Sequence, residues 1–287
     1  MKACLDCIPC QQRQMLKILR LSTDDHQIHE QVLRETVRHL GNIDWELDPM
    51  SLMKETYHLI TQATGNADPY RELKVQGNDE VLQLYPKLQA LIQASDDPLF
   101  TACKLAVAGN IMDFGAKDHF DIQETIDHVL ETDFALNEYD RFTAALNSAS
   151  SLLLMADNAG EIVLDKLLLE TLLQRYSFEN ITVAVKDQPI LNDATIQDVE
   201  YIGLTDIPNI TFRRVNTTPD CQRTWMPSDV VSWIQEHDIV LSKGQANYEA
   251  LSDYSGVYFL LIAKCPIVAN DTGTHNGALI FTYTAEN

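Results

Sequence analysis

Basic residues are scarce in this chain. Lys and Arg number 21 against 42 Asp and Glu over 287 residues, for a net charge of -21. Phosphate backbones and anionic membranes both want cationic surfaces, so neither nucleic acid nor a membrane is an expected partner. An acidic protein can still handle a phosphorylated small molecule where a metal and a few lysines reverse the local field. No apolar run is long enough to span a bilayer. Met1 to Cys7 lacks the apolar segment of a secretory signal. Six cysteines in a chain of this size do not suggest a disulfide framework. Together these absences point to a reducing cytoplasm. Internal repeats and low-complexity segments are absent as well.

What is present divides in two. The chain is 45% hydrophobic, enough for a sizeable core. From Gln11 to about Ser148 the pattern is helical, with stripes such as Met15, Ile18 and Leu19, then Ile28, Val32, Leu33 and Val37. Pro49, Pro69, Pro86 and Pro98 punctuate it. His26, His29, His39 and His58 have no ligand spacing and read as surface or satisfied residues. After Ser151 strands alternate with helices. Strands are expected at 152–155, 181–186, 210–215, 238–242, 258–262 and 279–283, and helices at 161–174, 193–202, 228–237 and 248–252. The fold class that follows is α/β, a mainly parallel Rossmann-like sheet with helices on both faces, preceded by an all-helical segment. The expected division is a helical domain over 1–148 and an α/β domain over 149–287.

The chemistry gathers where strands end. The run Leu152 to Met155 leads into Ala156-Asp157-Asn158-Ala159-Gly160-Glu161 and then a helical pattern. Open α/β sheets bind ligands at this position, between strand and helix. Gly160 permits a tight turn and a close approach. Asp157 and Asn158 offer hard oxygen donors for a divalent cation. An equally available reading is a helix start, with Asn158 as N-cap and Glu161 three residues on. After the second strand, Asn192 or Asp193 can cap the next helix, and Asp193 can also supply a second carboxylate. Lys243, Gly244, Gln245 and Asn247 form a loop suited to an oxyanion, and Lys264 stands at another strand end. In the helical part, Gly109 costs about 1 kcal/mol of helix propensity relative to alanine, so a close neighbour is expected there. Asn110 and Asp113 lie one turn apart beside it.

Cys4, Cys7 and Cys10 recur at every third residue. They read as small thiols packed at a helix start or, in a loop, as chelators of a soft metal. The first reading is favoured because a structural zinc site wants four ligands and no second Cys-x-x-Cys exists, Cys103, Cys221 and Cys265 being scattered.

Taken in order, Cys7-Ile8-Pro9-Cys10, Ala108-Gly109-Asn110 with Asp113, Asp157 to Glu161, Asn192 to Thr195, Lys243-Gly244-Gln245 with Asn247-Tyr248-Glu249, and Lys264-Cys265-Pro266 resemble the metal-dependent damage-control phosphatases, the ARMT-like domain family. The likeness covers nearly the whole chain and is strongest to the stand-alone prokaryotic branch with an amino-terminal cysteine pair. Ala246 departs from an expected glycine. The resemblance implies hydrolysis of phosphate from small phosphorylated metabolites, often damaged or side-product ones, with a divalent metal such as Mn, Co, Ni or Mg. It implies Asp157, Asn158 and Asp193 as metal ligands and Lys264 on the transferred phosphoryl group. Gly109, Asn110 and Asp113 would line the substrate pocket, joined by Glu161, Lys243, Gly244 and Asn247. Two routes stay open, attack by Asp157 or by an activated water, and the second is preferred because Asp157 is needed as a ligand. The alternatives are a carboxyl methyltransferase using S-adenosylmethionine, for which one glycine after the first strand is thin support, and a non-catalytic metal-binding protein.

Overall fold

The computed structural model describes residues 1–109, 122–216 and 228–285. Helices α1 (Cys7–Ser22), α2 (His26–Leu40), α3 (Pro49–Thr64), α4 (Arg71–Ala94), α5 (Pro98–Ala108) and α6 (Ile122–Glu131) come first. Capping chemistry sets several starts: Asp25, Asp48 and Asp97 accept backbone N–H groups at the heads of α2, α3 and α5, and proline occupies the first turn of the latter two. A two-residue strand β1 (Leu136–Asn137) and helix α7 (Tyr139–Leu146) follow. Then come β2 (Ser151–Met155), α8 (Glu161–Arg175), β3 (Asn180–Lys186), α9 (Ile196–Tyr201), β4 (Ile210–Val215), α10 (Ser228–Glu236), β5 (Ile239–Lys243), α11 (Gln245–Leu251), β6 (Val257–Ile262), α12 (Pro266–Asp271) and β7 (Leu279–Tyr283).

The strands form one sheet in the order β1-β7-β6-β5-β2-β3-β4. Strands β2 to β6 are parallel, and β7 runs antiparallel to β6. Strand β1 falls inside the stretch expected to be wholly helical and pairs with β7 at the sheet edge.

Side chains alternate across the sheet with period two. Leu152 and Leu154 of β2 join one hydrophobic cluster with α4, α5 and α8, while Leu153 and Met155 join the other with α1, α2 and α3. Each cluster therefore combines residues from before and after position 149, and the sheet lies between the two sets of helices. Both faces being covered, β2, β3, β5 and β6 are buried almost throughout. Among the described residues, no helix is long and apolar enough to cross a membrane.

The chain winds outward from β2 through β3 to β4, then returns to β5 on the other side of β2. The reversal between β2 and β5 is a topological switch point, and a crevice opens at the carboxyl ends of such strands.

Candidate metal centre at the switch point

Asp157 lies two residues beyond β2, and the loop after β3 folds back onto it. The Ala194 N–H donates to the Asp157 carbonyl (2.8 Å), and the Ala159 N–H to the Asn192 carbonyl (2.9 Å). Asn158 and Asp193 thereby pair as an isolated antiparallel bridge. This zipper brings Asp157, Asn158 and Asp193, from the loops after two neighbouring strands, into one buried cluster.

The expected capping roles are not taken up. Gly160, at φ 76°, precedes α8 without a side-chain cap. Asn158 instead donates its amide to Asp157 (2.7 Å) and Glu161 (3.1 Å). Helix α9 is capped by Thr195 and Asp198 rather than by Asn192 or Asp193. That leaves the Asp193 carboxylate for other duty. Its Oδ2 is buried and accepts no hydrogen bond, with the Lys186 ammonium 3.7 Å away, close enough to pair in charge but too far to bond.

The electrostatics mark the cluster as short of positive charge. Burial, then the nearby Glu161 and Asp193 carboxylates, push the Asp157 carboxyl well above its usual range, against the pull of Lys264 and Lys186. Burial likewise lifts Asp193 to about 6, opposed by Lys186, Lys74 and Lys264. Lys264 is exposed, yet its charge reaches both carboxylates.

Four residues expected at the substrate are turned inward. Lys243 is fully buried, and its ammonium donates to Glu161 (2.7 Å), Asp165 (2.6 Å) and the Ala106 carbonyl (2.8 Å). An ammonium has three N–H groups, so none remains for phosphate. Glu161 is consumed by Lys243 and Asn158. Asn247 donates to the carbonyls of Ala156 (3.1 Å) and Lys243 (2.8 Å) and accepts from Lys186 (3.3 Å), which clamps the ends of β2 and β5. Gly109 does have a close neighbour, but it is Glu161, whose Cα, Cβ and Cγ would each lie 2.7 Å from an added Cβ. Gly244 stands nearer the centre: at φ +80° its missing Cβ would collide with the Asp157 carboxylate. Asn110 and Asp113 lie outside the described residues.

Sequence reasoning missed the supporting ring. Asn78 of α4 accepts the Gly160 N–H (2.6 Å) and donates to Asp198 (3.0 Å). Lys74, one turn earlier, pairs with Asp68 (3.0 Å) and approaches Asp198 (3.8 Å). Polar residues at this i,i+4 spacing on a buried helix face were the available signal. Lys186 and Asp165, both buried, complete the ring.

The donor types suit a hard divalent cation. Two carboxylates and an amide side chain share the cluster, one carboxylate oxygen lacks a hydrogen bond, and the neighbouring carboxylates destabilise the anionic form of Asp157 without a cation. Among the described residues, no three His, Cys, Asp or Glu side chains surround a single point, so an ion here would use the amide and leave positions open.

Known proteins agree with this architecture. A damage-control phosphatase from Archaeoglobus fulgidus is 29% identical over 269 residues, covering 91% of this chain and 92% of its own length. One from Pyrococcus horikoshii is 26% identical over 290 residues, covering 98% and 97%. A crystal structure of a DUF89 family protein from Pyrococcus horikoshii superimposes with a TM-score of 0.85 at 25% identity, over 99% of both chains. These relatives support a phosphatase role in metabolite repair. The family model for the damage-control phosphatase ARMT1-like domain matches residues 3–280, nearly the whole sheet and its helices, and the chain belongs to that family.

Proposed function

We propose that this protein is a metal-dependent phosphatase acting on small phosphorylated metabolites, and that Asp157, Asn158 and Asp193 hold its divalent ion. The observation that carries the reading is the buried Asp157–Asn158–Asp193 cluster at the switch point, with an Asp193 oxygen that accepts no hydrogen bond. When bound, such an ion supplies Lewis-acid polarisation of a phosphoryl oxygen and lowers the pKa of a water beside it.

The chain's own residues do the rest. Lys264, exposed at the rim, offsets negative charge on the phosphoryl oxygens as it builds up in the transition state. Lys186 and Lys74 steady Asp193 from behind. Lys243 pairs with Glu161 and Asp165 and so offsets part of the negative charge behind Asp157. Asn247 fixes the strand ends on either side, and Gly244 leaves room for the Asp157 carboxylate. Asp157 serves as a ligand rather than a nucleophile in this arrangement, with water as the attacking group. Manganese, cobalt, nickel and magnesium are the candidate ions, and phosphate monoesters the substrate class.

Release of inorganic phosphate from sugar phosphates, phosphopantetheine derivatives and nucleotides, with and without each ion, tests the proposal. Turnover that requires a divalent ion supports it. Equal turnover in excess chelator refutes the metal assignment, and transfer of methyl groups from S-adenosylmethionine without phosphate release refutes the activity.

A further inference from the structure

One distant cysteine, Cys265, comes near the amino-terminal three in the fold. Cys4 and Cys7 form a turn just before and at the start of α1, where the Cys4 N–H points at the Cys7 sulfur (3.4 Å) and the two Sγ atoms lie 3.9 Å apart. Cys10, three residues on, shares the Cys7 face of the helix. Cys265 precedes α12, and Ile267 of that helix packs against the hydrophobic cluster of Ala3, Cys7 and Leu52, to which Cys4 also contributes. Cys265 is near enough to Cys10 to act on its thiol, and the buried Glu249 carboxylate acts on both Cys7 and Cys10. Gln245 ties the group together: its amide donates to Glu249 (2.8 Å) and to the Cys265 sulfur (3.4 Å), while its oxygen accepts the Lys264 N–H (2.8 Å).

We propose that Cys4, Cys7, Cys10 and Cys265 form a second metal centre, a structural site for a single zinc-like ion held by thiolates, separate from the oxygen site at Asp157. The spacing of the first pair supports one ion. At a Zn–S distance of about 2.3 Å, two thiolates of a tetrahedron lie about 3.8 Å apart, against the 3.9 Å of Cys4 and Cys7. The N–H directed at sulfur steadies the charge of a thiolate ligand. An iron–sulfur cube fits this pair less well, although Cys-x-x-Cys-x-x-Cys with a remote Cys-Pro resembles the ligand run of bacterial ferredoxins. The cube binds each cysteine to a different iron and so spreads the sulfurs wider than a shared ion does.

Among the described residues, no three His, Cys, Asp or Glu side chains already surround one point, so loading must draw Cys10 and Cys265 toward the Cys4–Cys7 pair. That motion has a consequence for the neighbouring site. Cys265 adjoins Lys264, and Gln245 holds the Lys264 amide. An ion at the thiols would clasp the Lys264 loop to the first helix.

Cobalt(II) loading of the full chain reads the ligands directly. The expected result is the sulfur-to-cobalt charge-transfer absorption and intense visible bands of a tetrahedral thiolate site, displaced by zinc. Cys10→Ser and Cys265→Ser, at exposed and half-buried positions that tolerate the change, are expected to abolish the thiolate bands and the zinc-induced rise in unfolding temperature. Asp157→Asn is expected to keep both, which separates this site from the proposed catalytic one. Cobalt bound with only the weak bands of oxygen ligation overturns the proposal. So does a thiolate spectrum unchanged in both serine variants, or loading that succeeds only with iron and sulfide together.

Discussion

Replacing Lys243 by methionine distinguishes a phosphate-binding lysine from a structural one. The side chain is fully buried and its ammonium makes hydrogen bonds of 2.6 to 2.8 Å to Asp165, Glu161 and the Ala106 carbonyl. Methionine keeps the stem and removes the charge, stranding two buried carboxylates. Breaking a buried pair in this way costs about 3–5 kcal/mol, a large share of the roughly 5–15 kcal/mol that holds a typical domain together. Lys243→Met should therefore lower the urea midpoint markedly with little change in slope. The loss should also depend on pH. Burial already lifts the Asp165 carboxyl to about 7 while Lys243 is present, and removing the cation raises it further. A carboxyl whose pKa is higher in the fold than in the unfolded chain contributes stability below about pH 4, and that contribution is lost as pH rises through the folded value. The gap between wild type and variant should thus be smallest near pH 5 and widen toward pH 8. A loss below about 1 kcal/mol, or a gap constant across that range, would refute the buried-cluster reading. Dead enzyme with wild-type stability would return Lys243 to the phosphate.

Three further outcomes are expected. Lys264→Ala leaves stability and metal affinity nearly unchanged, because the side chain is exposed, and lowers kcat by at least about a hundredfold, the scale of losing one preorganised electrostatic donor; near-normal turnover in steady-state kinetics removes it from the site. Gly244→Ala must place a Cβ on the Asp157 carboxylate at φ +80°, a backbone region costing about 1–3 kcal/mol for other residues; metal binding measured by calorimetry should fall by more than thermal stability does. In metal-free protein, Asp193 is lifted to about 6 by burial, so its contribution to stability is full below about pH 4 and lost as pH rises through 6; thermal unfolding of Asp193→Asn across that window should be flatter than that of wild type.

Much of the fold was legible in the sequence because the sheet is buried on both faces. Apolar β-branched runs leave little choice, and β3 and β6 fall within one residue of the expected 181–186 and 258–262. Strand β1 and helix α12 were not legible, since two and six residues carry too little periodicity. The placement of Asp157, Asn158 and Asp193 at strand ends was legible in the sequence. Their neighbours were harder, because residue type does not reveal direction. Lys243 ends a strand whose alternate residues Ile239 and Leu241 face α8, and Glu161 and Asp165 stand one turn apart on that helix. Both periodicities are in the sequence, but only the packing of β5 against α8 joins them. The convergence of Cys265 on Cys4, Cys7 and Cys10 depends in the same way on where α12 returns beside α1.

The central claim is that Asp157, Asn158 and Asp193 hold a divalent ion on which phosphate release depends. The most direct measurement strips the protein with chelator, titrates a divalent ion back and follows bound metal and released phosphate together, for wild type, Asp157→Asn and Asp193→Asn. Wild-type turnover should vanish on stripping and return in proportion to bound ion, while both folded variants neither bind nor turn over. Turnover by the stripped protein, or by either variant at the wild-type rate, would contradict the account.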